Sequence, residues 1–277
     1  MTSSDELRAR HRGNRQATAK LEKCILFDKK CLFDAEYLRN INIRKIQVSF
    51  DNKTSELGPC FFAPYPQDNL DQPTPGWMAQ EFPSYHNKGR PIDHARDLCY
   101  FLAYYLAGYR IRKQNPEQEL QQITYNAGWF QDGLVERKLG CSLFEHSGYS
   151  EYPPQWQVMS LFFHEDIEFP HAKVIMISNI EGDDEMLSRG EILALLRVIR
   201  IRLKQAAYAM HDFHPVLMLS LMGPQHLRLI QGHFDGTDLV LQHSKVYNML
   251  ERDEDTLIFL TSWLYGPPLN TTRKELK

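Results

Sequence analysis

Between residues 174 and 243 the apolar positions change their spacing three times, and each change predicts a different element. Residues 174–180 (VIMISNI) form an apolar run of strand length. An acidic turn follows, with Glu181, Asp183, Asp184 and Glu185, and then the pattern Ser188-x-x-Glu191. In such a capping box the serine oxygen and the glutamate carboxylate each satisfy a backbone N–H that a helix start leaves open. Ile192, Leu195, Leu196, Ile199, Leu203, Ala206, Ala207 and Met210 then recur at the helical period, which predicts a helix over 188–211. Residues 216–222 (VLMLSLM) scarcely alternate, as expected of a central strand covered on both faces. Strand, helix and strand make a β-α-β unit whose two strands lie parallel. Turns at Gly223-Pro224-Gln225 and Asp235-Gly236 fold 227–234 and 239–243 into a meander.

Upstream, Leu98, Phe101, Leu102, Tyr105, Leu106 and Tyr109 make one helical stripe. It predicts a helix over 93–115, with Asp93 as its cap after Pro91 and Pro116 beyond its end. Tyr100 and Tyr104 flank the stripe, where packing of rings competes with a stacking platform for a planar ligand. Arg110, Arg112 and Lys113 complement the helix dipole. Residues 156–163 (WQVMSLFF) read as an inner strand, and 256–265 (TLIFLTSWLY) as a last helix stopped by Gly266-Pro267-Pro268 and anchored by Trp263.

The N-terminal third is less regular. Residues 41–50 read as a half-buried strand, and 24–27 as a second short apolar run. Pro59, Pro64, Pro66, Pro73, Pro75, Pro83 and Pro91 forbid a long element across 58–91, yet Phe61, Phe62, Tyr65, Trp77, Phe82 and Tyr85 lie between them. So many rings predict an ordered wrap over the core or a loop that lines a cleft. Glycines punctuate 117–154 and no element is placed there. The expected organisation is a polar, flexible arm at 1–23, strands and wrap at 24–91, an α/β core at 92–268 and a loose tail at 269–277. The fold class is α/β (α+β), a mixed sheet with a β-α-β crossover and a C-terminal meander packed by helices.

Composition narrows the function classes. With 43% hydrophobic residues the chain can bury a sizeable core, and a net charge of −3 gives no support to nucleic acid as a partner. Cys24, Cys31, Cys60, Cys99 and Cys141 contain no C-x-x-C pair, which predicts buried thiols in a cytoplasmic or nuclear protein. The start has no apolar leader and the run 98–109 is too short to span a bilayer, so no membrane partner is expected. Neither G-x-G-x-x-G nor G-x-x-x-x-G-K-[ST] occurs, and no nucleotide cofactor is expected.

Candidate chemistry concentrates in one loop. His164, Glu165, Asp166, Glu168 and His171 are the densest set of metal ligands, imidazole and carboxylate together suiting a divalent ion. The H-x6-H spacing is not H-E-x-x-H, and a solvated loop at a sheet edge is the competing reading. His211 and His214 are expected to cap a helix end. His226, His233 and His243 fall on the meander, where His233 and Asp235 could share a face, although no G-x-S-x-G elbow accompanies them. Arg197, Arg200 and Lys204 read as a basic solvated face, with phosphate binding as the rival.

The order helix 93–115, strands 156–163 and 174–180, helix 188–211, strand 216–222 and hairpin resembles the α-β-β-β-α-β core of PD-(D/E)XK nuclease-like proteins. It is also similar to uncharacterised fungal proteins in this half. The resemblance implies a divalent metal held by an acid and a (D/E)-x-K pair, with Asp166 or Glu168 as the first acid and Glu181 and a displaced Lys173 completing the set. Residues 174–180 contain neither acid nor lysine, so the implied state is a degenerate relative. Three functions follow: a non-enzymatic binding module for an unknown protein or small molecule, a metal-dependent phosphodiesterase, or a small-molecule enzyme whose cleft is lined by the proline and aromatic segment with Tyr100 and Tyr104.

Overall fold

A computed structural model describes residues 3–50, 59–70, 80–108, 110–111, 121–122, 127–131, 155–269 and 272–273. The elements are α1 (Ser3–Phe27), β1 (Leu32–Phe33), α2 (Ala35–Asn40), β2 (Ile43–Gln47), α3 (Pro91–Ala107), β3 (Arg110–Ile111), β4 (Gln121–Gln122) and β5 (Trp129–Gln131). They continue as β6 (Trp156–His164), β7 (Ala172–Glu181), β8 (Leu187–Ser188), α4 (Arg189–Lys204), β9 (Val216–Gly223), β10 (His226–Phe234), β11 (Leu239–His243), β12 (Tyr247–Asn248) and α5 (Glu254–Tyr265). The main sheet runs β2-β11-β10-β9-β7-β6-β5, with β12 paired to β10. The expected crossover is present: β7 and β9 are parallel neighbours with α4 between them in sequence. So is the meander of β9, β10 and β11, antiparallel throughout.

Alternation along the central strands divides the core into two layers. Val174 and Met176 of β7, Val216 and Met218 of β9, and Ile230 of β10 face α4 and α1. Ile175 and Ile177, Leu217, Leu219 and Leu221, and Leu227 and Leu229 face α3 and α5. A strand that must be apolar on both sides shows no period of two, which is why β9 reads as a continuous run.

The α4 start is as the capping box requires. Ser188 Oγ accepts from Glu191 N at 3.2 Å, and the Glu191 carboxylate accepts from Ser188 N at 2.8 Å. The same carboxylate holds Arg228 of β10 through two bonds, at 2.8 and 2.6 Å, with both side chains buried. The helix ends at Lys204, short of 211, where Gln205 turns extended, and the side chain of Arg202 in its last turn donates to the carbonyls of Pro170 and His171. Ala206, Ala207 and Met210 are consequently exposed rather than part of the buried face.

The N-terminal arm is a correction. Residues 3–27 form a helix that packs on α4, burying Thr18, Leu21, Glu22 and Ile25. Glu22 accepts from Arg197 Nε at 2.9 Å and also pairs with Arg200, so two of the three cations read as a solvated basic face form the seat of α1. α3 begins one turn earlier than expected: Arg90 is the cap, Pro91 opens the helix and Asp93 reaches back to Arg90. It ends at Ala107, which leaves Arg110 in β3; Tyr109, Arg112 and Lys113 lie outside the described residues. Of the cysteines described, Cys99 alone is buried, Cys31 and Cys60 are half-buried and Cys24 is exposed; Cys141 lies outside the described residues.

Candidate functional site

The structure separates the residues of the nuclease-like set. His164 Nδ1 accepts from Asp166 N at 3.2 Å, the Asp166 carboxylate accepts from Glu168 N at 2.9 Å, and Glu168 pairs with Arg273 at 2.7 Å. Glu165, Asp166 and Glu168 are exposed, while His171 is fully buried among Phe61, Phe62 and Phe169. Burial pushes its imidazole down to about 3. Among the described residues no group of three or more His, Cys, Asp or Glu side chains is placed to hold a metal ion. Lys173 and Glu181 stand at opposite ends of β7, roughly 26 Å apart at strand rise, and cannot share an ion. Between α3 and α4 the described strands are β3, β4, β5, β6, β7 and β8, and β9 follows α4.

His211, His214, His233 and His243 have structural partners. His211 lies beyond the helix end and does not cap it: its Nδ1 meets Thr272 Oγ1 at 2.7 Å, and its carbonyl meets His11 Nε2 at 3.2 Å. His214 packs edge-on against the His11 ring. His233 lies against Phe61 and Phe213, whereas the Asp235 carboxylate accepts from Thr237 N, Asp238 N and Arg44, so the two form no dyad. His226 is half-buried, and burial lowers its imidazole below the ordinary value. His243 Nδ1 meets the Ser244 carbonyl.

Lys173 has a role the apolar pattern does not announce. Its Nζ donates to the carbonyls of Trp263, Leu264 and Gly266, at 3.1, 2.8 and 2.7 Å. These are orphan acceptors at the end of α5, and a cation there also meets the negative pole of the helix. The ammonium lies 4.0 Å from the centre of the Trp129 ring, and the indole N–H of Trp129 donates to the Gly266 carbonyl at 3.0 Å. Desolvation pushes the Lys173 amine well below an ordinary lysine. Three acceptors for three N–H groups, with the indole face beside them, act in the opposite direction and hold the proton.

This clamp fixes α5 beneath the proline and aromatic segment, whose described residues 59–70 pack against it. Phe61 and Phe62 are fully buried, Phe62 bridges Pro268, and Tyr65 N donates to the Ser262 carbonyl at 2.7 Å. Gly266 is required where the two meet, because a Cβ there would overlap the Ala63 carbonyl oxygen. Between the segment, the chain after β2 and α5 lies a hollow of about 240 Å³. Phe50, Phe62 and Trp263 supply its rings, and Gln231 and Gln242 a buried pair of amides. A second hollow of about 470 Å³ adjoins it through Phe50, Pro64 and Trp263 and opens toward Tyr65 and Asp68. Tyr100 is exposed and, like Tyr104, lines neither hollow; Trp77 lies outside the described residues.

Polar order inside the first hollow is set by the amides. Gln231 Oε1 accepts from Phe61 N at 3.2 Å, and Gln231 Nε2 donates to Gln242 Oε1 at 2.5 Å and to the Pro59 carbonyl at 3.3 Å. Cys60 Sγ donates to the Phe62 carbonyl at 3.0 Å, and burial raises the thiol pKa. Periodicity could not reveal this site, but a signal existed: Lys173, Gln231 and Gln242 are long polar side chains at inward positions of apolar strands, where burial demands a partner. No protein-family model, curated protein or solved structure matches the chain.

Proposed function

We propose that this protein is a non-enzymatic binding module whose ligand is a small molecule held in the hollow between the proline and aromatic segment and α5. One observation supports this reading above the others: the two adjoining hollows together reach the volume of small-molecule sites, roughly 300–1,000 Å³, and their inner part is lined by rings and bonded amides. Its described lining contains no carboxylate, imidazole or amine. The Cys60 thiol in that lining is raised by burial and already donates to the Phe62 carbonyl, and Asp68 stands in the outer hollow, so the inner part offers shape and a hydrogen-bonding pattern and no poised proton carrier. The resemblance to PD-(D/E)XK proteins carries no part of this reading. No described helix is long and apolar enough to cross a membrane. The thiols of Cys24, Cys31, Cys60 and Cys99, none in a disulfide, support work in a reducing compartment, the cytoplasm or nucleus.

A fragment screen by ligand-observed NMR tests the reading. Compounds that bind the native chain are expected to be lost on Ala63→Phe or Val48→Phe, both of which fill the hollow, and to be recovered chemically unchanged after long incubation. Hits that survive both substitutions remove the site. Hits converted to product in the native chain but not in the filled variants overturn the non-enzymatic assignment.

A further inference from the structure

We propose that the outward face of α1 docks on an anionic lipid bilayer, with Phe27 and Leu26 entering the headgroup layer while Arg12, Arg15, Lys20 and Lys23 meet its phosphates and carboxylates. This surface is separate from the hollow. α1 and α4 cover one side of the sheet, whereas the rings of the hollow belong to the core on the other. Both sites can be occupied at once, and neither depends on the other.

Two stripes run along α1. His11, Asn14, Thr18, Leu21, Glu22 and Ile25 are buried and turn inward. On the opposite side Arg12, Gln16, Lys20, Lys23 and Phe27 recur at intervals of three and four residues, all exposed, over roughly 22 Å at helix rise. Arg15 is exposed on the flank. Phe27 is 77% exposed and Leu26 beside it 41%. Between residues 7 and 27 the sequence holds one acid, Glu22, and it is turned inward to Arg197 and Arg200. Among the described residues none of Arg12, Arg15, Lys20 and Lys23 is paired with an acid. α4 supplies no exposed acid either, since its Glu191 is buried with Arg228. The acids that follow Phe27 are engaged: Asp28 accepts from Lys30 N and the Tyr37 hydroxyl, and Asp34 from Tyr37 N. Residues 1–30 carry eight cations and four acids in a chain whose net charge is −3, so positive charge is gathered on one side.

Shape and polarity select a bilayer among anionic partners. The outer side of a helix is convex, and none of the residues of α1 lines the hollows around α5, so a small anion or short peptide finds no groove there. A nucleic acid satisfies the cations but offers Leu26 no apolar medium. The boundary between headgroups and acyl chains accepts cations and apolar side chains together. Such a surface is approached and not crossed, so it requires no spanning helix, and none is present among the described residues.

Flotation of the full chain with vesicles tests the proposal, using phosphatidylcholine alone or with about one-third phosphatidylserine. Binding is expected to be at least about tenfold tighter to the anionic vesicles and to weaken as salt rises. Lys20→Glu with Lys23→Glu is expected to weaken it about 25-fold or more, at about fivefold for each cation removed. Phe27→Ser is expected to weaken it about five- to tenfold, by an amount that salt does not reduce. Should these variants fold poorly, Phe27→Trp gives a second readout: an emission that shifts to the blue on anionic vesicles beyond any shift of the native chain. Equal binding to both vesicles, binding to neither, an affinity unmoved by either set of substitutions, or a Phe27→Trp emission indifferent to vesicles overturns the proposal. So does an oligonucleotide or a polyglutamate peptide bound more tightly than the anionic vesicles and lost with Lys20 and Lys23, which would assign the face to that partner instead.

Discussion

Two cations are buried on opposite faces of the sheet, and they are stabilised in opposite ways. Arg228, toward α4, is neutralised by a full charge: Glu191 meets it through two hydrogen bonds. Burial alone would raise the Glu191 carboxyl, but the Arg228 charge and its hydrogen bonds outweigh this and hold it below its usual value. Lys173, toward α5, is met by three carbonyl dipoles and an indole face, with no carboxylate among its bonded partners. The first arrangement locks a helix start to a strand; the second locks a helix end to a strand. Removing one partner therefore has different consequences: it strands a charge on the α4 face, and only dipoles on the α5 face. The face held by dipoles is also the one with the hollow.

Acid is expected to have the largest effect, because it reaches both faces. Burial pushes His171 and His214 down to about 3 and His211, His233 and His243 down to about 4. Their folded-state values lie below the unfolded value near 6.5, so the unfolded chain binds more protons as pH falls. Stability is then full above about 6.5 and is lost progressively toward the folded values. Each imidazole is expected to withdraw about 1 kcal/mol between pH 7 and 5.5, about 5 kcal/mol for the set. Urea midpoints at pH 7.5, 6.5 and 5.5 measure this, and a flat profile would show that the imidazoles charge without leaving the fold.

Next in size is the contrast itself. Glu191→Ala is expected to cost about 3–5 kcal/mol, because Arg228 is left as an uncompensated buried charge, and Glu191→Leu with Arg228→Met to restore most of it. Lys173→Met is expected to cost less, about 1–3 kcal/mol, since the carbonyls lose donors but no opposite charge is exposed. Equal losses in urea unfolding would erase the distinction between the faces. The smallest effect concerns the loop of His164, Glu165, Asp166, Glu168 and His171: Mg²⁺, Mn²⁺ or Zn²⁺ at millimolar concentration is expected to leave the melting temperature unmoved. An upward shift, removed by Asp166→Asn, would bring a metal back into consideration.

Much of the scaffold could be read from side-chain spacing, since spacing reports which face of an element is buried. The unbroken run at 216–222, the box at Ser188 and Glu191 and the Asp235-Gly236 turn specify β9, α4 and the meander. What spacing misses is a partner far along the chain. Arg197 and Arg200 look solvated until α1 supplies Glu22, about 175 residues away for Arg197. The helix expected over 188–211 stops at Lys204, where Gln205 turns extended, while Arg202 in its last turn finds carbonyls of another loop. Lys173 leaves only the trace of a long polar side chain at an inward strand position, since its partners are main-chain oxygens, which no residue pattern records.

The interlocking of Ala63 with Gly266 also constrains how the molecule is made. Phe61 and Phe62 find their ring partners at His171, Phe213, His233 and Trp129, and their main-chain partners at Pro268 and Leu269. Synthesis proceeds from the N-terminus, so these two rings emerge some two hundred residues before the turn that closes over them. A nascent chain must keep them shielded, by transient collapse or by a chaperone, until α5 has left the ribosome. The ligand hollow is therefore among the last features to form, and a chain truncated before α5 has none.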